Sequence, residues 1–259
     1  MIGFRLPVSE LRVTLRQPGG AEDMLLAEAS DCDVGLALAL ASALARSAQG
    51  EAIAWEALPL TDLDATLLRI RQMVIGDLVR TDIQCPAEGC GERIDIAFRV
   101  TDYLAHHQPR KPRGIERDHE PGWFRMTNPD VSFRPPSGAD QLAIADEPEG
   151  VRLLAERCIR PADAPARVRR RVEAAMEALA PSLYGELDGT CPVCAATVRI
   201  PFDPQRYVLL ELRAQATSLY EEVHLLAGHY KWSEQDILAL PRLRRTRYAE
   251  LIHAERSAG

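Results

Sequence analysis

Two widely separated cysteine pairs, Cys85-Pro-Ala-Glu-Gly-Cys90 and Cys191-Pro-Val-Cys194, constrain this chain more than any other feature. A turn of two to four residues between cysteines lets both sulfurs face one side, and two such turns supply the thiolates of a tetrahedral zinc site. Strand-like runs follow each pair, residues 93–100 and 197–202, so each pair is expected at the tip of a hairpin. Two hairpins brought together make a zinc ribbon split across the chain. An ion held by Cys85, Cys90, Cys191 and Cys194 is expected to be structural zinc, because four thiolates leave no open coordination position. Two other readings stay open, unconnected reduced pairs and a redox Cys-x-x-Cys. The redox motif opens a helix in a βαβ setting, and here a strand-like run follows instead.

An internal repeat accounts for the distance between the pairs. FRLPVSELRVTLRQPGGAED at 4–23 is echoed by FRMTNPDVSFRPPSGAD at 124–140, each leading into an Arg-x-Pro-x-Gly-Ala-acid turn. Gly76 matches Gly185, the cysteine pairs match, then Phe98 matches Phe202 and Tyr103 matches Tyr207. Helical patterns lie between these landmarks at 33–48 and 63–75, the second with Thr61 or Asp62 as N-cap. The other half has them at 149–158 and 163–179, with Asp163 as cap and Pro165 in the first turn. The fold class expected is α+β, built from pseudo-duplicated halves at 1–105 and 123–204. Each half has a small β element, helices and a zinc-knuckle hairpin. A polar, proline-bearing linker spans 106–122, and a helical C-terminal extension spans 205–259. In that extension an apolar stripe runs along a helix over 205–227. Ser233 and Asp236 resemble a helix start, and a basic helix follows Pro241 over 242–255.

Composition narrows the function classes. With 31 basic against 38 acidic residues the net charge is -7, which argues against a surface built for nucleic acid. Two arginine clusters, Arg167/169/170/171 and Arg242/244/245/247, are read as solvated faces, and aromatic residues at 5% make base-stacking platforms scarce. The longest apolar run, 34–45, falls short of the roughly 20 residues that cross a bilayer. The opening MIGFRLPVSELRV lacks a secretory pattern, so a cytoplasmic, thiol-reducing location is expected. No His-Glu-x-x-His, Gly-x-Ser-x-Gly, Walker or Gly-x-Gly-x-x-Gly motif occurs, and neither an enzymatic activity nor a small-molecule substrate is expected. Cys32 and Cys158 lie in or beside helical patterns and are read as small packing residues.

The C-terminal stretch 187–252 carries a family resemblance. Cys-Pro-x-Cys and RIPFD are followed by Val223–Ala227 in a Val-His-Leu-Leu-Ala helix, His229–Trp232 in a His-Tyr-x-Trp turn, Ile237–Pro241, and Arg244–Tyr248. This combination resembles the baseplate hub assembly chaperones of T-even-type phages and their relatives in contractile injection systems. The FRLP opening and the Cys85–Cys90 hairpin look similar as well. The resemblance implies a non-enzymatic assembly factor whose partners are baseplate or spike proteins, with His229, Tyr230, Trp232, Arg244 and Arg245 as candidate partner-binding residues. A zinc-ribbon nucleic-acid-binding or regulatory protein is the alternative.

Overall fold

Each half of the chain opens on short strands whose inward side chains seed a core. In the first half Ile2–Arg5 (β1), Arg12–Leu15 (β2) and Ala45–Ser47 (β3) form an antiparallel sheet in the order β1-β2-β3, with Val13 and Leu15 buried. The computed structural model describes residues 2–258 and is of mixed α+β class. After β2, the Glu22 carboxylate accepts from the Gly19 N–H at 2.8 Å and pairs with Arg16 at 2.5 Å, closing the turn into Gly20–Glu28 (α1). Asp33 caps Val34–Leu44 (α2), accepting from Leu36 N–H at 2.9 Å. The helix expected to reach Ala48 stops at Leu44, because residues 45–47 complete the sheet beside β2 and those ladder bonds override helix propensity.

Leu60–Val74 (α3) begins at Pro59, not at the expected Thr61 or Asp62. Proline's fixed φ suits that entry, and the two polar side chains hold other parts of the chain. The Asp62 carboxylate accepts from the N–H groups of Val8 and Ser9 at 2.8 and 2.9 Å, while Thr61 Oγ1 donates to the Pro181 carbonyl at 2.9 Å. The hairpin Leu78–Gln84 (β4) and Arg93–Arg99 (β5) follows, then Val100–His106 (α4).

The same order of elements then recurs. Phe124–Thr127 (β7) and Asp130–Phe133 (β8) lead into Gly138–Ile144 (α5), Gly150–Cys158 (α6), Ile159–Arg160 (β9) and Ala166–Leu179 (α7). Gly185–Thr190 (β10), Thr197–Phe202 (β11) and Pro204–Gln215 (α8) complete the series. Two details depart from expectation. The 106–122 stretch is not merely a linker, since Ile115–Arg117 (β6) adds an edge strand to the sheet β6-β7-β8-β9 and buries Ile115. Helix α7 is entered through Pro165 rather than capped by Asp163, repeating the Pro59 entry of α3.

The halves share one core. Leu183, Phe202, Val208, Leu209, Leu212 and Ala216 of the second half pack with α2 and α3 of the first. Buried Arg71 crosses the same boundary, donating to Glu211 at 2.7 and 3.2 Å and to the Leu78 carbonyl at 3.0 Å. Backbone bonds run between Leu60 N–H and the Pro136 carbonyl at 3.0 Å and between Gly138 N–H and the Leu58 carbonyl at 3.3 Å. A Cβ on Gly138 would lie 3.0–3.3 Å from Leu38, Trp55 and Glu56, so this glycine permits the close approach.

Helix α8 therefore belongs to the shared core and not to a separate C-terminal extension. The single helix expected over 205–227 is interrupted at residues 216–218, and Leu219–Tyr230 (α9) follows. The apolar stripe is continuous in the sequence but serves two cores, which requires the chain to turn between them. Ser233 caps Glu234–Leu238 (α10), and Arg242–Ala258 (α11) packs back on α9 through Leu225, Leu226, Ile237, Ala249 and Ile252. Gly20, in the first Gly-Ala-acid turn, abuts α10: a Cβ there would meet the Leu238 backbone at 2.6 Å. Among the described residues no helix is long and apolar enough to cross a membrane.

Candidate metal centre

Opposite halves present their hairpin tips to each other. Cys85 and Cys90 bound the turn beyond Gln84↔Arg93, and Cys191 and Cys194 the turn beyond Thr190↔Thr197. Cys85 N–H donates to the Glu92 carbonyl at 2.7 Å and Cys191 N–H to the Ala196 carbonyl at 2.9 Å, so both turns close alike. The residue after the second cysteine is left-handed in each, Gly91 at φ 61° and Ala195 at φ 57°. Below the tips Ile83, Ile94 and Ile96 face Val198 and Ile200 in a thin apolar layer. At the base, Phe98, Tyr103, Phe202 and Tyr207 form one aromatic cluster, with Phe98 and Phe202 edge-to-face at 5.3 Å and Phe202 and Tyr207 at 5.5 Å. The Phe and Tyr landmarks matched in the sequence thus meet where the halves join.

The four sulfurs converge. Cys85 and Cys194 lie 3.6 Å apart, Cys90 and Cys191 3.8 Å, and all four fall within 4.8 Å of one another. Thiolates about 2.3 Å from a tetrahedral ion stand roughly 3.8 Å apart, whereas a disulfide needs about 2.05 Å. All four are free thiols, and the group can hold a metal ion. Cys85 and Cys191 are buried, Cys90 is half-buried and Cys194 exposed. The Cys194 N–H aimed at the Cys191 sulfur lowers that thiol to about 7. Cys85 is pushed up to about 12: the Ala87 N–H favours its thiolate, but burial and the three neighbouring sulfurs outweigh it. The Cys191 thiolate is thus favoured, and a cation among the sulfurs would favour that of Cys85 as well. A redox reading fits less well, because the Cys191–Cys194 turn joins two strands and opens no helix.

Ala195 sits where Gly91 sits in the other turn, and a left-handed backbone costs a non-glycine residue about 1–2 kcal/mol. Part of that is recovered through glycine's greater freedom when unfolded. Ala195→Gly should therefore raise stability by about 0.5–1 kcal/mol, seen as a melting temperature higher by roughly 1–4 °C. A lower melting temperature would argue against the left-handed turn.

The five C-terminal candidates divide. Tyr230 and Trp232 stack at 4.7 Å and meet Tyr248 at 5.7 and 5.3 Å, half-buried over the apolar cluster of α9 and α11. His229 lies 3.7 Å from Glu255 on the outer side. Arg244 is exposed. Arg245, expected on a solvated arginine face, is instead buried at 1% exposure, pairing with Asp23 and, at 3.1 Å, with Glu222. Arg242 pairs with Asp23 too, and exposed Arg247 with Glu250 at 2.9 Å, so three of that cluster's four arginines face the chain's own acids. Cys158 is buried, and burial raises its thiol to about 12, in keeping with a packing role. Cys32 is half-buried in the shared core.

Sequence reasoning passed over Asp64, Gln141 and Gln205, a polar group inside the junction. Gln205 Nε2 donates to Asp64 Oδ1 at 2.7 Å and to Gln141 Oε1 at 2.9 Å. The available signal was an aspartate on the apolar face of a helix, one position from Leu63 and four from Leu68. No protein-family model, curated protein or solved structure matches this chain.

Proposed function

We propose that this chain is a non-enzymatic assembly factor acting through protein contacts, with one structural zinc ion held by Cys85, Cys90, Cys191 and Cys194 in a split zinc ribbon. The spacing of the four sulfurs carries the metal part of this reading. An all-thiolate set suits zinc, a borderline-soft ion without redox chemistry, and leaves no position for a substrate. Bound there, zinc would neutralise the thiolates and fasten the two tips. The protein's own share is done by the paired turns, which set the sulfurs at coordinating distance.

The two halves are read as an internal duplication. Recurrence of the element order, the equivalent proline entries at Pro59 and Pro165, and the equivalent close-packed glycines Gly20 and Gly138 support this. The clients proposed are baseplate or spike proteins of a contractile tail or injection system, and support for them is the resemblance of residues 187–252. Within that stretch His229 and Arg244 are open to a client, while Tyr230, Trp232 and Arg245 would act by holding the presenting helices in place. The alternative, nucleic-acid binding through the arginine clusters, is weakened by the commitment of Arg242 and Arg245 to Asp23 and Glu222.

The test is to express the tagged chain together with the structural proteins of a contractile tail and isolate it under mild conditions. The expected result is one zinc per chain and a baseplate or spike protein recovered in near-stoichiometric amount. Recovery of nucleic acid alone, or of no tail protein, would overturn the assignment of clients.

A further inference from the structure

A cavity of about 320 Å³ opens where α3 of the first half meets α7 and the start of α8 of the second. That places it at the lower end of the roughly 300–1,000 Å³ typical of small-ligand sites. Four carboxylates line it, those of Asp64, Glu173, Glu177 and Asp203, with no lysine, arginine or histidine among the lining residues. Glu173 and Glu177 are exposed at the rim. Asp64 is at the floor, 7% exposed.

We infer that this cavity binds an alkylammonium group, with the free carboxylate oxygen of Asp64 as its anchor. Asp64 Oδ1 is held by Gln205 at 2.7 Å, whereas Oδ2 has no hydrogen-bond partner among the described residues. Only Trp55 Nε1 is both sealed from water and unpartnered among the described side chains, so Oδ2 opens onto the cavity it lines. A buried carboxyl with one unused oxygen, in a pocket whose lining holds no counter-charge, suits a cationic ligand that would stabilise its ionised form.

The shape of the site selects the kind of cation. The four carboxylates do not converge as a metal cage, since the only metal-capable cluster among the described residues is the four cysteines. A guanidinium fork wants both oxygens of a carboxylate, and Gln205 already holds one. An ammonium head needs one strong acceptor and a few weaker ones, which the Gln141 and Gln205 side chains provide. Leu60, Pro136 and Met176 supply apolar wall for an aliphatic stem. Burial raises Asp64 to about 7 against the opposing Gln205 hydrogen bond, with a smaller push from the Asp203 charge, and an arriving cation would relieve that penalty. A free diamine and the lysine side chain of a protein both carry this group. Neither depends on which ion lies between the hairpins.

The test uses the full chain in its metal-loaded form and two probes measured separately by calorimetry, 1,5-diaminopentane and a terminally blocked peptide with a single lysine. Saturable binding of at least one probe is expected, weakened by at least about tenfold in Asp64→Asn, which keeps the Gln205 bond but removes the charge. In Met176→Lys the new side chain should occupy the cavity with its own ammonium and abolish binding, while Asp188→Asn on the distant hairpin should leave it unchanged. Binding of the diamine alone assigns a free amine, binding of the peptide alone a protein lysine, and binding of both the shared chemistry. Absence of saturable binding by either probe, or equal affinity in Asp64→Asn, overturns the inference.

Discussion

Cys191→Ser should reduce bound zinc from one ion per chain to background and release the two hairpin tips from each other. Cys191 is the most buried of the four thiols at 1% exposure, and its sulfur lies 3.8 Å from that of Cys90 in the facing turn. A serine hydroxyl is a poor zinc ligand, and three thiols leave the tetrahedron open. The tips have little else to hold them. Each hairpin is two-stranded, an arrangement only marginally stable alone, and the layer between them is a few isoleucines and one valine. Small zinc peptides gain an apparent 10–16 kcal/mol or so from such a site. Here the shared core already supports the hairpin bases, so the expected cost is a fraction of that, on the order of 3–5 kcal/mol. Amide exchange should rise across residues 78–99 and 185–202 while α2 and α3 stay protected. Undiminished zinc content, or full protection of both hairpins in the variant, would sink the proposed centre.

Arg245→Ala should cost about 3–5 kcal/mol, the usual penalty for breaking a buried ion pair from one side. The Arg245 and Asp23 side chains are each 1% exposed and that of Glu222 6%, so both acids lose a partner that water cannot replace. Arg242 remains beside Asp23, and Thr246 Oγ1 still donates to Glu222 at 2.8 Å, but no guanidinium then bridges α1, α9 and α11. Helix α11 should loosen from α9, exposing the Tyr230–Trp232–Tyr248 stack and shifting Trp232 fluorescence to the red. Removing Asp23 as well should recover about 1–3 kcal/mol relative to the sum of the single changes. A variant as stable as the parent chain, or strict additivity, would mean that α11 docks by other contacts.

Much of the candidate site was legible before any coordinates, and the reason is local. Cys-x4-Cys and Cys-x2-Cys turns, the Gly-Ala-acid turns at 20–22 and 138–140, and the Phe and Tyr landmarks depend on neighbours a few residues away. Ser233 caps as its pattern predicts. Helix boundaries were less legible wherever a distant segment competed. Ala45–Ser47 became a strand because β2 lay alongside. Thr61 and Asp62 were not caps because Pro181 and the Val8–Ser9 backbone engaged them first.

Residue order dictates the cysteine spacing, the turn chemistry and the recurring pattern of elements, since each rests on short-range sterics and hydrogen bonding. Tertiary packing alone assigns α8 to the shared core, turns Arg245 inward upon Asp23 and Glu222, and opens a carboxylate-lined cavity beside Asp64. Which face of an apolar or charged helix becomes buried depends on the partner that reaches it. That information lies in segments tens to hundreds of residues away, where no local periodicity records it.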